Sequence, residues 1–222
     1  MMKIMNWTVL LAMCVVFFAA PLAGAAGTVK EYKNGDSASY WSIDTRFGVI
    51  FDGSIREIQC QECKQGYYGG GVLVGVDATY NWSEFQAGLS GTFGEVLFEG
   101  QRYNLGAMLG WRHDLADWLQ FKTVGEVGVH ALNNFIDDGM FQSVADNSDF
   151  AILPFIGARV GLDARVWPAA GLVLGVWGSG QVDLAKRQYN ASLSGLFDSV
   201  NHETYEVGGH RLSVGVNLGF EF

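Results

Sequence analysis

Apolar residues recur at every second position along most of the chain, the pattern of β-strands with two unlike faces. In residues 40–51, Trp41 and Phe51 share one face with the other odd-numbered residues, whereas Asp44 and Arg46 share the opposite face. The same alternation predicts seven further strands, at residues 67–80, 84–94, 102–112, 118–131, 151–165, 170–184 and 207–222. After the first 25 residues, no apolar run approaches the roughly 18 residues of a membrane-spanning helix.

One face of every predicted strand lacks Asp, Glu, Lys and Arg, and the opposite faces carry seven acidic and seven basic residues. These residues are Asp44, Arg46, Asp77, Glu84, Arg102, Arg112, Lys122, Glu126, Arg159, Asp163, Arg165, Asp183, Arg211 and Glu221. A lysine or arginine that faces lipid at mid-membrane costs roughly 2–4 kcal/mol. The pattern therefore favours an all-β, closed antiparallel up-and-down transmembrane barrel of about eight strands in meander order. We expect the charges to form an ion-paired network that plugs its narrow lumen.

The predicted connections alternate in length along the chain, with residues 81–83 short and residues 95–101 of moderate length. Residues 53–66, 132–150 and 186–206 form long connections, whereas residues 113–117 and 166–169 form short ones. Outer-membrane barrels have short periplasmic turns and longer outer loops, so we expect both termini on the periplasmic side. Five tryptophans fall at predicted periplasmic strand ends or turns, where amphipathic rings would form an interface girdle. They are Trp41, Trp82, Trp111, Trp118 and Trp167.

Composition supports the membrane interpretation over a soluble, lipocalin-like barrel with an apolar interior. The chain has 30 glycines, 14% aromatic residues and 17% charged residues, where soluble domains carry about 25% charged residues. Glycines fall on the charged face, for example Gly48 and Gly215, which suits a crowded lumen better than a watery surface. The net charge of −9 argues against nucleic acid as a partner.

The N-terminus has the pattern of a cleaved secretory signal peptide, predicted for residues 1–25. Lys3 precedes an apolar run that Pro21 ends, and small residues follow at 23–25. The run is shorter than the roughly 20 residues that cross a bilayer as a helix, so an uncleaved anchor is the weaker alternative. We expect residues 26–39 to form a periplasmic segment and residues 40–222 the barrel.

The last predicted strand, Arg211-Leu-Ser-Val-Gly-Val-Asn-Leu-Gly-Phe-Glu-Phe222, resembles the C-terminal insertion signal of bacterial outer-membrane proteins. In that resemblance, Phe220 and Phe222 are the signal's aromatic residues. The whole pattern resembles the small OmpA-like, OmpX-like and OmpW-like barrels of Gram-negative bacteria. The resemblance implies insertion by the barrel assembly machinery and contact with outer-membrane lipids and lipopolysaccharide. It implies no particular activity, because one fold hosts many functions.

Two cysteines, Cys60 and Cys63, lie in the first long connection, and in an oxidising compartment they are expected to form a disulfide. A zinc site completed by His202 and Glu203 is the weaker alternative. We expect no resident metal and no cofactor.

Polar residues near the predicted outer rim match no catalytic motif. They are His130, Ser179, Asp183, His202 and His210. The sequence therefore favours a non-enzymatic protein with a structural or surface-interaction role. A narrow channel, or an OmpW-like lateral route for apolar molecules, is the first alternative. A lipid-modifying enzyme or protease is the second.

Overall fold

Eight strands form one closed antiparallel barrel in the computed structural model, which confirms the predicted fold class. The structure describes residues 39–53, 55–57, 69–96, 100–133, 150–194 and 200–222. The strands are β1 (Tyr40–Asp52), β2 (Ile55–Glu57), β3 (Gly69–Trp82), β4 (Phe85–Val96), β5 (Gly100–Ala116), β6 (Leu119–Asn133), β7 (Phe150–Trp167), β8 (Leu172–Asp183), β9 (Arg187–Ser194), β10 (Val200–Val207) and β11 (His210–Glu221).

The barrel strands follow the order β1-β11-β8-β7-β6-β5-β4-β3, and β3 pairs with β1 to complete the ring. Consecutive barrel strands are neighbours, as in a meander. The ring closes where the first and last strands meet. Trp41 and Phe222 exchange two backbone hydrogen bonds there, with N···O distances of 3.0 and 2.9 Å.

Three tight connections lie at the same end of the barrel as Tyr40 and Phe222, and we call this the turn end. Ser83, with φ 49°, is in the β3–β4 turn. A single 3-10 turn, Pro168–Ala170, joins β7 to β8 and ends at Gly171. Gly171 has φ +66°, and a Cβ there would lie 2.1 Å from the Glu221 carbonyl oxygen, so glycine is required. The long connections leave from the opposite end, which we call the loop end.

The connection predicted at 186–206 contains structure that the sequence did not predict. There, β9 and β10 form a hairpin, and β2 from the first long connection pairs with β10 to give a three-stranded sheet. The sequence of β9 is Arg-Gln-Tyr-Asn-Ala-Ser-Leu-Ser. Its short alternation of Tyr189, Ala191 and Leu193 with polar residues was assigned to the connection instead of to a strand.

The barrel is apolar outside and polar inside. The outward side chain of Leu89 is 61% exposed, whereas the inward Arg211 is 1% exposed. Around the ring, the predicted apolar faces point outward and the predicted charged faces point inward, except at Glu84. No helix among the described residues is long and apolar enough to cross a membrane.

Candidate functional site: the charged lumen

A carboxylate bridges two arginines across the middle of the lumen. Asp77 on β3 accepts hydrogen bonds from Arg46 Nη2 on β1 at 2.9 Å and lies 2.8 Å from Arg159 Nη2 on β7. Three strands separate β3 from β7 in either direction around the ring. The Asp77–Arg159 ion pair therefore spans the lumen from wall to wall.

A second ion-paired group lies beside the first. Lys122 Nζ on β6 is 2.5 Å from Asp163 Oδ2 on β7 and 3.8 Å from Asp44 Oδ2 on β1. Asn217 Nδ2 donates to the other oxygen of Asp163 at 3.1 Å. Because β6 and β1 also lie on opposite walls, Lys122 connects both sides. We call the two groups together the central network; it comprises Asp44, Arg46, Asp77, Lys122, Arg159 and Asp163.

Glycines on the inward face provide room for these side chains. Asp44 and Gly219 are register partners, and a Cβ on Gly219 would lie 1.9 Å from Asp44 Oδ1. Asp163 and Gly175 are also register partners, and a Cβ on Gly175 would lie 2.0 Å from Asp163 Oδ1. Each carboxylate therefore occupies the space that its partner's side chain would need.

Trp177 fills the lumen beside the central network. Its register partners on the two neighbouring strands are Gly161 and Gly215. The indole Nε1 donates to the Val216 carbonyl at 3.1 Å, and Arg46 Cζ lies 5.4 Å from the ring centroid. Next to these groups is a cavity of about 40 Å³. At roughly 10–15 Å³ for each water, it has room for about three water molecules.

A buried cluster of charged side chains lies in the lumen at the loop end. Asp52 and Arg102 form an ion pair at 2.7 Å, and Arg211 Nη1 donates to both oxygens of Asp183 at 2.9 and 3.1 Å. His130 Nδ1 contacts Asp183 Oδ1 at 3.2 Å. We call these five residues the loop-end cap. Three apolar side chains with no exposed surface lie beside it: Phe155, whose ring centroid is 5.7 Å from Arg211 Cζ, and Leu132 and Leu153, the register partners of Arg102 and His130.

A looser ring of polar contacts lies at the turn end. Tyr40 donates its hydroxyl to Glu221 Oε1 at 2.8 Å, and Arg165 Nε lies 3.5 Å from Glu221 Oε2. Arg112 stacks over the Tyr40 ring at 4.5 Å and donates to the Ser83 carbonyl at 2.8 Å.

Glu84 is the one member of the predicted lumen network that lies outside the lumen. It is in the β3–β4 turn, where its exposed carboxylate accepts a hydrogen bond from Trp111 Nε1 at 3.0 Å and lies 3.6 Å from His113 Nδ1. The alternation predicted that Glu84 points inward, but the regular alternation of strand faces ends in a tight turn. The thirteen other predicted residues are on the inward face of their strands.

Several lumen residues were not predicted as members of the network. They are Tyr40, Asp52, His130, Trp177, Gln181 and Asn217. Alternation along the strand would have placed most of them on the inward face. His130, for example, is even-numbered, like Lys122 and Glu126 on the same strand.

The five predicted girdle tryptophans lie near the turn end, and Trp41, Trp118 and Trp167 are more than half exposed. Ring contacts run around the wall from Trp41 to Tyr80 at 5.3 Å, on to Trp82 at 6.0 Å and then to Phe85 at 6.3 Å.

Some predictions concern parts of the chain that the structure does not describe. The signal peptide, the 26–39 segment as far as residue 38, and the cysteines Cys60 and Cys63 all lie outside the described residues. Within the described part, no group of three His, Cys, Asp or Glu side chains could hold a metal ion.

These features define a closed eight-stranded barrel with an apolar outer wall and a charged lumen. No protein-family model matches the chain, and no curated protein is similar to it in sequence. The similar solved structures include Neisserial surface protein A, at 10% identity over 81% of this chain and 97% of that chain, with a TM-score of 0.47. They also include the N-terminal β-barrel domain of Pseudomonas aeruginosa OprF, at 14% identity over 82% of this chain and 97% of that chain, with a TM-score of 0.45. The outer-membrane protein AlkL matches at 13% identity over 87% of this chain and 94% of that chain, with a TM-score of 0.43.

Proposed function

We propose that the protein is a non-enzymatic outer-membrane barrel with a structural or surface-interaction role, and that its central network and loop-end cap plug the lumen. The observation that carries this proposal is that the outer wall is apolar and the lumen is charged, the reverse of a water-soluble protein. Water would not stabilise a wall of exposed leucine and valine around a core of buried charge, whereas lipid does.

The height of the apolar belt supports a membrane position. Trp41 and Phe51 both point outward from β1, near the turn end and the loop end respectively, and each is about half exposed. A strand rise of about 3.3 Å and a tilt of about 35–45° place these two rings roughly 23–27 Å apart along the barrel axis. The apolar band of outer-membrane barrels is about 25 Å tall.

The cross-lumen ion pairs support a plugged rather than an open barrel. Asp77–Arg159 joins opposite walls, and the loop-end cap buries two further ion pairs. A buried charge without a partner is strongly unfavourable, so opening an aqueous path would require these groups to exchange partners for water.

The turn end would face the periplasm, since outer-membrane barrels have their short connections there. The connections 53–66, 132–150 and 186–206 would then reach the outside and contact lipopolysaccharide or a surface partner. Phe220 and Phe222 would act in insertion by the assembly machinery.

Two measurements on the folded protein test the proposal. In cells, the processed protein should be in the outer-membrane fraction and require detergent for release. In planar bilayers at neutral pH, it should be electrically silent. A freely soluble periplasmic protein would refute the membrane assignment, and steady single-channel steps would refute the plugged lumen in favour of a narrow channel.

A second candidate function is a lateral route for apolar molecules, and the end of the β7–β8 ladder favours it. In the last hydrogen bond of that ladder, Leu184 N donates to Pro154 O at 2.7 Å. Pro154 has no N–H, so it cannot donate a second bond to Leu184 O. Among the described residues, the outer end of β7 pairs only with β6, while β9 pairs with β10. The inward side chains next to this break, Leu153 and Phe155, are apolar.

Octane uptake tests this route. Cells that express the protein should take up octane faster than cells without it, and Pro154→Val, which restores a donor towards Leu184 O, should slow that uptake. Pro168→Ala, in the β7–β8 turn, is the matched control and should change nothing. Equal uptake with and without the protein would refute the route.

A further inference from the structure

The loop-end cap is electrically neutral only while His130 is neutral. Its two carboxylates, Asp52 and Asp183, balance its two guanidinium groups, Arg102 and Arg211. The side chains of these four residues and of His130 are all at most 2% exposed. A proton on His130 would therefore add one positive charge that no carboxylate of the cap balances.

Hydrogen bonding in the cap also depends on the state of His130. Its Nδ1 contacts both Arg211 Nη1 and Asp183 Oδ1. A guanidinium group only donates hydrogen bonds, so Nδ1 of the neutral ring must accept from Arg211. The ring proton is then on Nε2, which is buried and has no hydrogen-bond partner among the described residues.

Protonation would reverse the role of Nδ1. With a proton there, the atom donates to Asp183 and presents a hydrogen to the donor Arg211 Nη1. Asp183 would then have to serve two cations, although it already accepts from Arg211 and from the backbone N–H of Gly209 at 3.1 Å.

We propose that the loop-end cap is an acid-sensitive closure, in which protonation of His130 displaces Arg211 and loosens the lumen at its loop end. The charged groups that face His130 come from four other strands: Asp52 on β1, Arg102 on β5, Asp183 on β8 and Arg211 on β11. The inference goes beyond the proposed function, since a plugged barrel needs no response to acid.

The test compares urea unfolding of the detergent-folded protein at pH about 7.5 and about 5, which brackets the ordinary imidazole range and stays above that of carboxyl groups. His130→Gln supplies an amide that accepts from Arg211 and donates to Asp183 without titrating. Between the two pH values, the midpoint of the natural protein should fall by roughly 1 M urea more than that of His130→Gln. His113→Gln, at the exposed histidine beside Glu84, is the matched control and should fall like the natural protein.

Equal shifts in the natural protein and His130→Gln would overturn the inference. Should His130→Gln fail to fold, amide hydrogen exchange in the natural protein decides the question. The protection of the Gly209 amide should then drop in acid more than that of the Phe222 amide at the turn end, and equal loss would overturn the inference. These outcomes are separate from the proposed function, which fails instead if the barrel conducts at neutral pH or is soluble without detergent.

Discussion

The indole of Trp177 occupies the space that a side chain on Gly48 would fill: a Cβ built on Gly48 would lie 2.8 Å from Trp177 Cζ2. The same complementarity recurs between Asp44 and Gly219 and between Asp163 and Gly175. The lumen is therefore packed by large side chains that lie against glycines, and most of its packing crosses from one strand to another.

Replacing the glycine opposite Asp44 should destabilise the barrel. In Gly219→Ala, the new methyl group would be 1.9 Å from Asp44 Oδ1, so the carboxylate must leave its position. Overpacking of this kind costs about 1–3 kcal/mol, measurable as a lower urea midpoint of the detergent-folded protein. Gly91→Ala is the control, because a Cβ at Gly91 meets nothing within 4 Å; equal effects of the two variants would contradict the packing argument.

Removing the carboxylate that bridges two arginines should be more costly. Asp77→Asn leaves Arg46 and Arg159 without their shared anion, and breaking a buried pair in this way costs about 3–5 kcal/mol. We also expect conductance to appear in planar bilayers, because the wall-to-wall contact weakens. The control is Asp114→Asn, whose exposed carboxylate pairs with Arg165 at 3.3 Å; an exposed pair contributes about 0–1 kcal/mol. If Asp77→Asn were as stable as Asp114→Asn, the central network would not hold the lumen closed.

Trp177→Ala should lower stability by about 3–5 kcal/mol, the usual cost of removing a large buried aromatic side chain. It should also enlarge the cavity beside the central network, which a crystal structure of the variant would show. Trp167→Ala, at an exposed ring near the turn end, should cost less. A larger loss for Trp167 than for Trp177 would count against Trp177 as the lumen filler.

A charge on the outer wall should reveal where the lipid is. Leu89 lies on the outer wall between Phe85 at the turn end and Phe93 towards the loop end, and it is exposed. Leu115 is similarly exposed but lies near the β5–β6 turn. Leu89→Arg should cost roughly 2–4 kcal/mol in lipid bilayers, whereas Leu115→Arg should cost about 0–1 kcal/mol. Folding titrations in liposomes measure both, and equal costs would argue against a membrane around Leu89.

The pair Cys60 and Cys63 remains a prediction. Thiol titration of the purified protein should find both cysteines unreactive before reduction and two reactive thiols afterwards. Free thiols before reduction, together with bound zinc in elemental analysis, would favour the metal site instead.

The alternation predicted all eight barrel strands, because each of them has one apolar and one polar face. Asp52 shows how that reasoning falls short at a boundary: it lies one residue past the predicted end of its strand, yet has the parity of Asp44 and Arg46 and forms an ion pair with Arg102. Glu84 shows the opposite error, since parity does not hold in a tight turn.

The pairing of the lumen charges could not be predicted from the pattern. Arg159 contacts Asp77 from the far wall, and which residues meet across a barrel depends on strand tilt and on the register accumulated around the ring. The odd or even position of a residue along its strand shows whether it faces inward or outward, but not its height along the barrel axis. The sequence therefore predicts which residues line the lumen and leaves their partners open.

The contact between Trp41 and Phe222 has a kinetic consequence. The strands that close the ring are far apart in sequence: their contact Tyr40–Glu221 joins residues 181 positions apart. The other neighbouring barrel strands are separated by much shorter stretches of chain, whereas β1 and β11 can pair only after the rest of the sheet has formed. Until this pair forms, β1 and β11 each expose a backbone edge without hydrogen-bond partners. Such an edge is unfavourable in lipid and can pair with a second chain. Assembly in a cell would therefore have to protect the edges of β1 and β11 more than those of any hairpin.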